Sequence, residues 1–456
     1  MNTLSQETFK NPILYLVILI IGTGMRLFNL TNGLWLDEIW SMVMSAPDNS
    51  VIEIINNCKT DSHPPLFDII LHYFLVVFGN NDINSRLLAL FIGMISILTT
   101  YYYTLRISKS YFASFLAFAM ITLSFFHIYY SNEGRFYTFL YLLSVTVLSE
   151  LYLFLKDKKI RNLISFILFS SLLVYTHYYG AILIFALYII VLFLWFIKEI
   201  NRKTFLQTAA GGVIILLLFS PWLPFMLSGQ QKESWMTNPG IGDFFDYLFK
   251  YTGKNPVEFL FVLLALVMSV KFWKTNIKLY SLLFGTILLG FFIPFIVSYL
   301  SIPMLHFRYT FIYYPSIIIL VALFWEQTKM INDKKKIIVF SIVFISTMIN
   351  FFFINPFTDG IHQEPWKKIA RDIAKFNYYN DDNVYTEVDF YLNYYLEKNE
   401  HKKADQLPVL EKDSSFWLLK SPYDAKEILI IKKYKIVKEM NYGDDFILYY
   451  YTQLEY

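Results

Sequence analysis

Long apolar runs separated by short polar loops dominate the first 354 residues. A helix that crosses the roughly 30 Å apolar core of a bilayer needs about 20 apolar residues. About eleven runs meet or approach this length, and they lie at residues 12–30, 84–105, 111–130, 136–155, 162–179, 181–197, 205–223, 257–273, 279–299, 309–326 and 337–354. The pattern therefore predicts an α-helical polytopic membrane protein.

Basic residues fall in every second loop between these runs, at 106–109, 156–161, 198–203, 271–278 and 329–336. The positive-inside rule places such loops in the cytoplasm. We therefore expect a multi-pass protein of the cytoplasmic (inner) membrane with a cytoplasmic N-terminus, which Lys10 also favours. The outer loops are then 31–83, 131–135, 175–180, 224–256 and 300–308, together with all residues from 355 onward.

The segment His63–Gly79 is apolar and tests this topology. It is short for a span and begins with two prolines, and Asp68 and His72 share one helical face. We interpret it as an amphipathic helix on the outer leaflet. The alternative, a short tilted span, would reverse the sidedness of every later loop.

The composition of the chain changes after residue 354, where charged residues and Tyr become frequent. Helix-like stretches appear at 364–377 and 387–398, and strand-like stretches at 383–386, 414–419, 427–432 and 445–452. We predict two domains: a membrane module at 1–354, whose first outer loop 31–83 carries the surface helix, and a small extracytoplasmic α/β domain at 355–456.

Composition supports this class and excludes others. Of 456 residues, 56% are hydrophobic and 16% charged, whereas soluble domains have about 45–50% and 25%. The net charge of +3 argues against a nucleic-acid partner. A single cysteine, Cys58, rules out an intrachain disulfide and a thiolate metal cluster. No cofactor is predicted, and no metal-ligand spacing is present, although Asp61, His63 and Glu133 are side chains of the type that holds a divalent ion.

Ionisable residues gather at the predicted outer ends of the spans rather than at their midplanes, at Asp37, Glu38, Asp61, His63, Glu133, Arg135, His177, His306 and Arg308. Charged groups at membrane depth are costly and mark functional sites. A transporter is expected to place them near mid-bilayer. The distribution instead predicts a polar site at one membrane face.

Asp37 and Glu38 stand between Trp35 and Trp40. Adjacent carboxylates point in different directions from a helix, so one can face a cavity while the other serves a structural partner. Aromatic neighbours lower the local dielectric and favour a general-base role. The alternative is an interfacial aromatic belt with two solvated acids.

His63 precedes two prolines at a helix start, where free amide donors favour an anion. The alternative interpretation is that His63 is a surface residue in a capped turn. The second basic candidate, Arg135, has a fork of donors suited to phosphate. Glu133 and Tyr137 share a face if the helix resumes after Gly134, and a structural Glu–Arg pair is the alternative here.

Two further candidates, His306 and Arg308, open the span at 309–326. They either add positive charge to a phosphate site or extend to the lipid headgroups.

Together these motifs resemble the GT-C glycosyltransferases, and most of all family 39, which includes the protein O-mannosyltransferases and the lipid A aminoarabinose transferases. The resemblance is strongest over residues 1–230. The segments that carry it are 33–41 (GLWLDEIWS), 63–67 (HPPLF) with 71–72 (LH), 130–137 (YSNEGRFY), 175–179 (YTHYY), 221–224 (PWLP) and 308–309 (RY).

The resemblance implies a polyprenyl-phosphate-linked sugar as donor and a glycan, lipid or protein acceptor at the outer face. In the family an acidic residue of the first outer loop acts as base, which corresponds to Asp37 with Glu38 beside it. The family motif of the type Tyr-Ser-Gln-Glu-Ala-Arg departs here at Asn132 and Gly134 but keeps Glu133 and Arg135.

The function predicted from the sequence is an inverting sugar transfer. Asp37 is the expected base, and Arg135, with His63 or Arg308, is expected to stabilise the departing lipid phosphate. Two alternatives from other classes remain: a flippase or transporter of lipid-linked saccharides, and a non-catalytic scaffold of envelope assembly.

Overall fold

The computed structural model describes residues 9–28, 30–228, 236–328, 333–354, 364–376, 382–398, 403–405, 415–424, 434–443 and 445–453. The chain divides into two compact units. The first unit comprises Met1–Leu30 and Pro47–Ile361, and the second comprises Thr31–Ala46 and His362–Tyr456. A short segment of the predicted first outer loop thus belongs to the same compact unit as the C-terminal residues.

The first unit is helical, and each predicted span contains a helix. Its α-helices are Pro12–Arg26 (α1), Val51–Cys58 (α3), Leu66–Phe78 (α4), Asp82–Ser108 (α5), Tyr111–Leu123 (α6), Phe125–Ser131 (α7), Tyr137–Asp157 (α8), Ile160–Val174 (α9), Tyr178–Phe196 (α10), Arg202–Phe219 (α11), Leu223–Leu227 (α12), Asp243–Tyr251 (α13), Pro256–Ser269 (α14), Ile277–Leu300 (α15), Tyr314–Gln327 (α16) and Asp333–Ile349 (α17). Short 3₁₀ turns at Val270–Thr275 and Tyr309–Tyr313 and a π turn at Asn350–Ile354 extend three of them.

Eight helices among the described residues are long and apolar enough to cross a membrane, and α6 with α7 make a ninth if that bent pair is one span. The predicted spans at 12–30 and 162–179 contain shorter apolar helices, α1 and α9, and α4 is a third of this kind. Helices α8 and α16 are buried along most of their length. Large apolar side chains such as Phe196, Leu300 and Phe353 are about four-fifths exposed. Apolar surface on this scale suits lipid rather than water, so the predicted multi-pass membrane fold is confirmed.

The chain breaks between α6 and α7, whose axes differ by 56°. Ser124 stands at the break in a non-helical conformation, and its Oγ accepts a hydrogen bond from the backbone N–H of His127 at 3.2 Å. A serine at this position caps the new helix. The same hydroxyl lies 3.0 Å from the phenol of Tyr314 on α16. These two contacts therefore fix the angle between α6 and α7. Helix α7 leads directly into the turn at residues 132–136.

The buried guanidinium of Arg26 holds this broken helix in place. It donates to the carbonyl oxygens of Ile121 and Thr122 at 3.3 and 2.7 Å, at the C-terminal end of α6. It also reaches His127 Nδ1 at 2.9 Å and Ser131 Oγ at 3.2 Å, on α7. Carbonyl groups at the C-terminal end of a helix lack intrahelical hydrogen-bond partners. The Arg26 side chain therefore supplies donors to the last carbonyls of α6 and also fixes the position of α7.

The second unit is a small α/β structure built from α2 (Leu36–Met44), α18 (Trp366–Phe376), α19 (Asp389–Lys398), β1 (Asn383–Tyr385), β2 (Ser415–Lys420), β3 (Tyr434–Asn441) and β4 (Ile447–Gln453). The sheet order is β1-β2-β4-β3. Strand β1 runs parallel to β2, and the other pairs are antiparallel with Phe416 opposite Tyr451. The predicted C-terminal sheet is therefore present. Strand β3 was not predicted, and the stretch 427–432 lies outside the described residues.

The segment Thr31–Ala46 forms part of this second unit. Leu34 and Ile39 are fully buried. The backbone N–H of Leu34 donates to the phenol oxygen of Tyr395 on α19 at 2.7 Å, and Trp40 packs on Phe390 with ring centroids 5.4 Å apart. Buried apolar side chains and a side-chain acceptor for a backbone donor thus anchor α2 to α19.

We predict that Arg26→Met destabilises the protein by on the order of 3 kcal/mol, because hydrogen bonds to charged groups contribute about 1.5–3 kcal/mol each and the carbonyls left behind are buried. Arg26→Lys should lose less stability, because the ammonium group of lysine keeps some of the hydrogen bonds. Thermal unfolding in detergent measures both. Equal melting temperatures for wild type and Arg26→Met would contradict the role of this side chain.

Candidate functional site

His63 lies at the centre of a buried polar cluster in the first unit. Its Nε2 is 3.1 Å from Nη2 of Arg135 and 3.6 Å from Oδ2 of Asp61, and its Nδ1 is 3.7 Å from Oδ2 of Asp68. Arginine only donates hydrogen bonds, so Nε2 of His63 is the acceptor and the ring proton sits on Nδ1, toward Asp68. Two acids, a histidine and an arginine thus share one small volume.

Cys58 extends this cluster from the end of α3. Its thiol donates to Oδ2 of Asp68 at 3.6 Å, and its side chain is fully buried. Burial raises the pKa of this thiol far above its ordinary value, and the charges of Asp68 and Asp61 raise it further. Cys58 is therefore a neutral hydrogen-bond donor that orients Asp68 rather than a nucleophile.

The ring of Phe136 packs against the basic side chains of the cluster. Its centroid lies 5.1 Å from that of His63, 4.8 Å from that of His177 and 5.0 Å from the guanidinium carbon of Arg135. Arginine over an aromatic face is a favourable cation–π arrangement. The turn after α7 therefore presents Arg135 and Phe136 together.

His177 caps the start of α10 and is neutral. Its Nδ1 accepts the backbone N–H of Tyr179 at 3.1 Å. Burial lowers the pKa of this imidazole well below its usual value, and the neighbouring charge of Arg135 lowers it further. The remaining ring nitrogen, Nε2, is therefore a hydrogen-bond donor.

Glu133, Tyr137 and Arg308 gather around the buried ring of Tyr130. The ring of Tyr137 packs on it with centroids 4.4 Å apart. Glu133 and Arg308 both lie close enough to act electrostatically on the Tyr130 phenol. Helix α8 begins only at Tyr137, so Glu133 stands in the preceding turn and does not share a helical face with Tyr137 as the sequence suggested.

The ring of Tyr309 connects His306 to His177. The ring of Tyr309 lies 5.9 Å from His306 and 5.0 Å from His177, centroid to centroid. The loop before α16 thus meets the turn before α10. The structure therefore brings together all six candidates of the first unit: His63, Glu133, Arg135, Tyr137, His306 and Arg308.

Position 134 requires a glycine because the backbone there lies very close to α5. A Cβ atom at this position would lie 2.7 Å from Oγ and 2.9 Å from Cβ of Ser85. Any larger residue would displace the turn or the helix. The glycine at this point of the motif therefore allows the 132–136 turn to lie directly against α5.

The two remaining candidates, Asp37 and Glu38, lie in the first turn of α2 in the second unit. Glu38 is buried, and its carboxylate reaches back to the backbone N–H of Trp35 at 3.4 Å. Asp37 is half-buried. The two adjacent acids thus differ: Glu38 is turned toward the backbone at the start of its own helix.

Glu364 is a third acid at the start of α2, and it was not among the candidates chosen from the sequence. Its Oε2 accepts the backbone N–H of Leu36 at 3.0 Å, although 328 residues separate the two. Burial raises the pKa of Glu364, the donors around it oppose this rise, and the charge of Asp37 adds to it. The only sequence signal was an acid in front of an amphipathic helix.

Among the described residues, no group of three or more His, Cys, Asp or Glu side chains has the arrangement of a metal site. Asp61 and His63, two of the side chains of the type that holds a divalent ion, lie beside the guanidinium of Arg135, whose Nη2 is 3.1 Å from Nε2 of His63.

Known proteins share both sequence and fold with this chain. Residues 62–225 match the family model described as dolichyl-phosphate-mannose-protein mannosyltransferase. This range contains the His63 motif, the Glu133–Arg135 turn and His177. No curated protein matches the chain by sequence.

Solved structures match along nearly the whole chain. ArnT from Cupriavidus metallidurans in the apo state is 11% identical with a TM-score of 0.60, and 96% of this chain covers 97% of that one. ArnT bound to undecaprenyl phosphate is 12% identical with a TM-score of 0.59 and the same coverage. The oligosaccharyltransferase AglB from Archaeoglobus fulgidus, in complex with an inhibitory peptide and a dolichol-phosphate, is 10% identical with a TM-score of 0.53, over 86% of this chain and 64% of that one.

The structural likeness establishes the fold. The chain therefore has the membrane-protein fold of ArnT and AglB, and its residues 62–225, which carry the polar cluster, resemble the dolichyl-phosphate-mannose-protein mannosyltransferases.

Proposed function

We propose that the protein transfers a sugar from a polyprenyl-phosphate carrier to an acceptor at the outer face of the cytoplasmic membrane. The observation that carries this proposal is the buried cluster of His63, Arg135 and His177 at one end of the helical unit. The guanidinium of Arg135 and the Nε2–H of His177 are donors that suit a phosphate at the membrane surface. Undecaprenyl phosphate in ArnT and dolichol-phosphate in AglB support the same class of carrier lipid.

An apolar cavity of about 440 Å³ between α9, α10 and α11 suits the prenyl tail of the donor. Val174 and Phe219 line it, and the ring of Tyr175 packs on Phe219 with centroids 5.4 Å apart. The carbonyl of Tyr175 accepts the backbone N–H of Leu66 at 3.1 Å, three residues from His63. A tail in this cavity would therefore end beside the loop that carries His177.

The arrangement of loops supports an outer location for the cluster. The 58–66, 132–136, 175–177 and 301–308 loops contact one another, and the basic loops lie at the opposite helix ends. Lys10 lies over the ring of Tyr111, beside one of those basic loops. Helix α4 starts at Leu66 against Tyr175 and ends just before α5, whose residue Ser85 meets Gly134, so both ends of α4 lie near the cluster. A surface helix fits this better than a span.

In the proposed reaction Asp37 removes the proton of the acceptor hydroxyl or amine while that atom attacks the anomeric carbon. The bond between the anomeric carbon and the phosphate oxygen breaks on the opposite side, so the anomeric configuration inverts. The electron pair leaves with the lipid phosphate. Arg135 stabilises that charge, with His63 or Arg308 assisting. Phosphate is a good leaving group, so no general acid is needed.

The alternatives fit the structure less well. A transporter of lipid-linked saccharides needs ionisable groups along a path through the bilayer, whereas the cluster lies in loops at one end of the helices. A scaffold has no need for a buried set of phosphate-type donors.

We predict that Asp37→Asn lowers the release of free polyprenyl phosphate by roughly 10²–10⁴, the usual contribution of a general base. The measurement uses purified protein in lipid with a panel of polyprenyl-phosphate sugars and candidate acceptors. Asp48→Asn is the matched control, because Asp48 is an exposed acid nearby in sequence. Near-normal turnover in Asp37→Asn would remove Asp37 from the role of base.

We predict that Arg135→Gln lowers kcat/KM for the donor by roughly 10²–10³, because it removes a charged donor to the leaving phosphate. Arg135→Lys should recover part of this loss, since it keeps the charge but not the fork geometry. The control is Arg161→Gln, an exposed arginine in a basic loop. Wild-type donor kinetics in Arg135→Gln would contradict the assignment.

A further inference from the structure

The carboxylate of Glu364 is fixed from three directions at the start of α2. Its Oε2 accepts the N–H of Leu36 at 3.0 Å and the indole N–H of Trp366 at 2.6 Å. Its Oε1 accepts the phenol O–H of Tyr423 at 2.6 Å. Trp366 is itself fully buried. Three donors from separate parts of the second unit therefore hold this side chain in one orientation.

The contact with Leu36 governs where Asp37 lies. The first N–H groups of a helix have no intrahelical acceptor, and Leu36 is the first residue of α2. Glu364 supplies that acceptor one residue before Asp37. An anion at this position also interacts favourably with the helix dipole. The start of α2, and with it the direction of the Asp37 side chain, is tied to the C-terminal segment.

Glu364 is also an acid close to Asp37. Burial raises the pKa of Glu364, and the charge of Asp37 raises it further. Glu38, on the same helix turn, is directed to the backbone of Trp35. Glu364 is thus an acid of the C-terminal segment whose carboxyl group is held at the first turn of α2.

We propose that Glu364 is a positioning residue for Asp37, which holds the first turn of α2 in place. This inference rests on the proposed function, because it takes Asp37 as the group that accepts the proton. Glu364 itself touches no reacting atom, so the C-terminal segment acts through the helix that carries Asp37.

Two substitutions test the positioning role. Glu364→Gln replaces one acceptor oxygen by a donor. We expect kcat to fall by roughly 10-fold or more, as small misplacements of catalytic groups do, with the donor KM unchanged.

Glu364→Asp keeps the charge but shortens the side chain, so it withdraws the acceptor from Leu36. We expect a lower kcat, again with the donor KM unchanged. Tyr423→Phe removes one of the three donors and should lower kcat less than either change at Glu364. Glu439→Gln is the control, because it makes the same chemical change at an exposed site of β3 in the same unit.

The outcomes distinguish this inference from the proposed function. If Asp37→Asn abolishes turnover while Glu364→Gln retains the wild-type kcat, the positioning role is refuted and the base assignment stands. If Asp37→Asn turns over normally, the base assignment itself is refuted. A lower kcat at unchanged donor KM in both Glu364 variants supports the role, and a purely structural defect would lower yield and melting temperature without this split between kcat and KM.

Discussion

A polar group buried among apolar side chains is unfavourable by several kcal/mol unless it is hydrogen-bonded, and this constraint shapes every candidate segment of the protein. Arg26 is buried because the broken helix offers it carbonyl oxygens, a histidine and a serine. His63 is buried because Arg135 donates to it. Glu364 is largely buried because Leu36, Trp366 and Tyr423 donate to it. Each bond satisfies a costly group and fixes a loop that would otherwise have many conformations.

Each unit holds its own candidate residues in one arrangement. In the first unit, the turn after the broken helix presents Arg135 over Phe136, close to His63 and His177. Preorganised donors of this kind stabilise a developing charge without reorganising during a reaction. In the second unit, the acceptor that Glu364 supplies fixes the start of the helix that carries Asp37.

The sequence predicted the parts of the structure that depend on local pattern. Apolar runs located a helix in every predicted span, and amphipathic stretches located α18 and α19. It did not predict contacts between distant segments, such as the bond between Leu36 and Glu364 or the one between Arg26 and the carbonyls near residue 122. Strand β3 was missed because its exposed charged residues lack a clear alternation. The candidate site residues were found from their place at span ends, while Cys58 and Glu364 carried no comparable signal.

The proposed reaction is a single displacement in which Asp37 is a base and never a nucleophile. The most direct measurement is the anomeric configuration of the transferred sugar, determined by NMR on product made from a donor of known configuration. A single displacement predicts an inverted configuration. A retained configuration would require two displacements through a covalent or equivalent intermediate, and it would contradict the role given to Asp37.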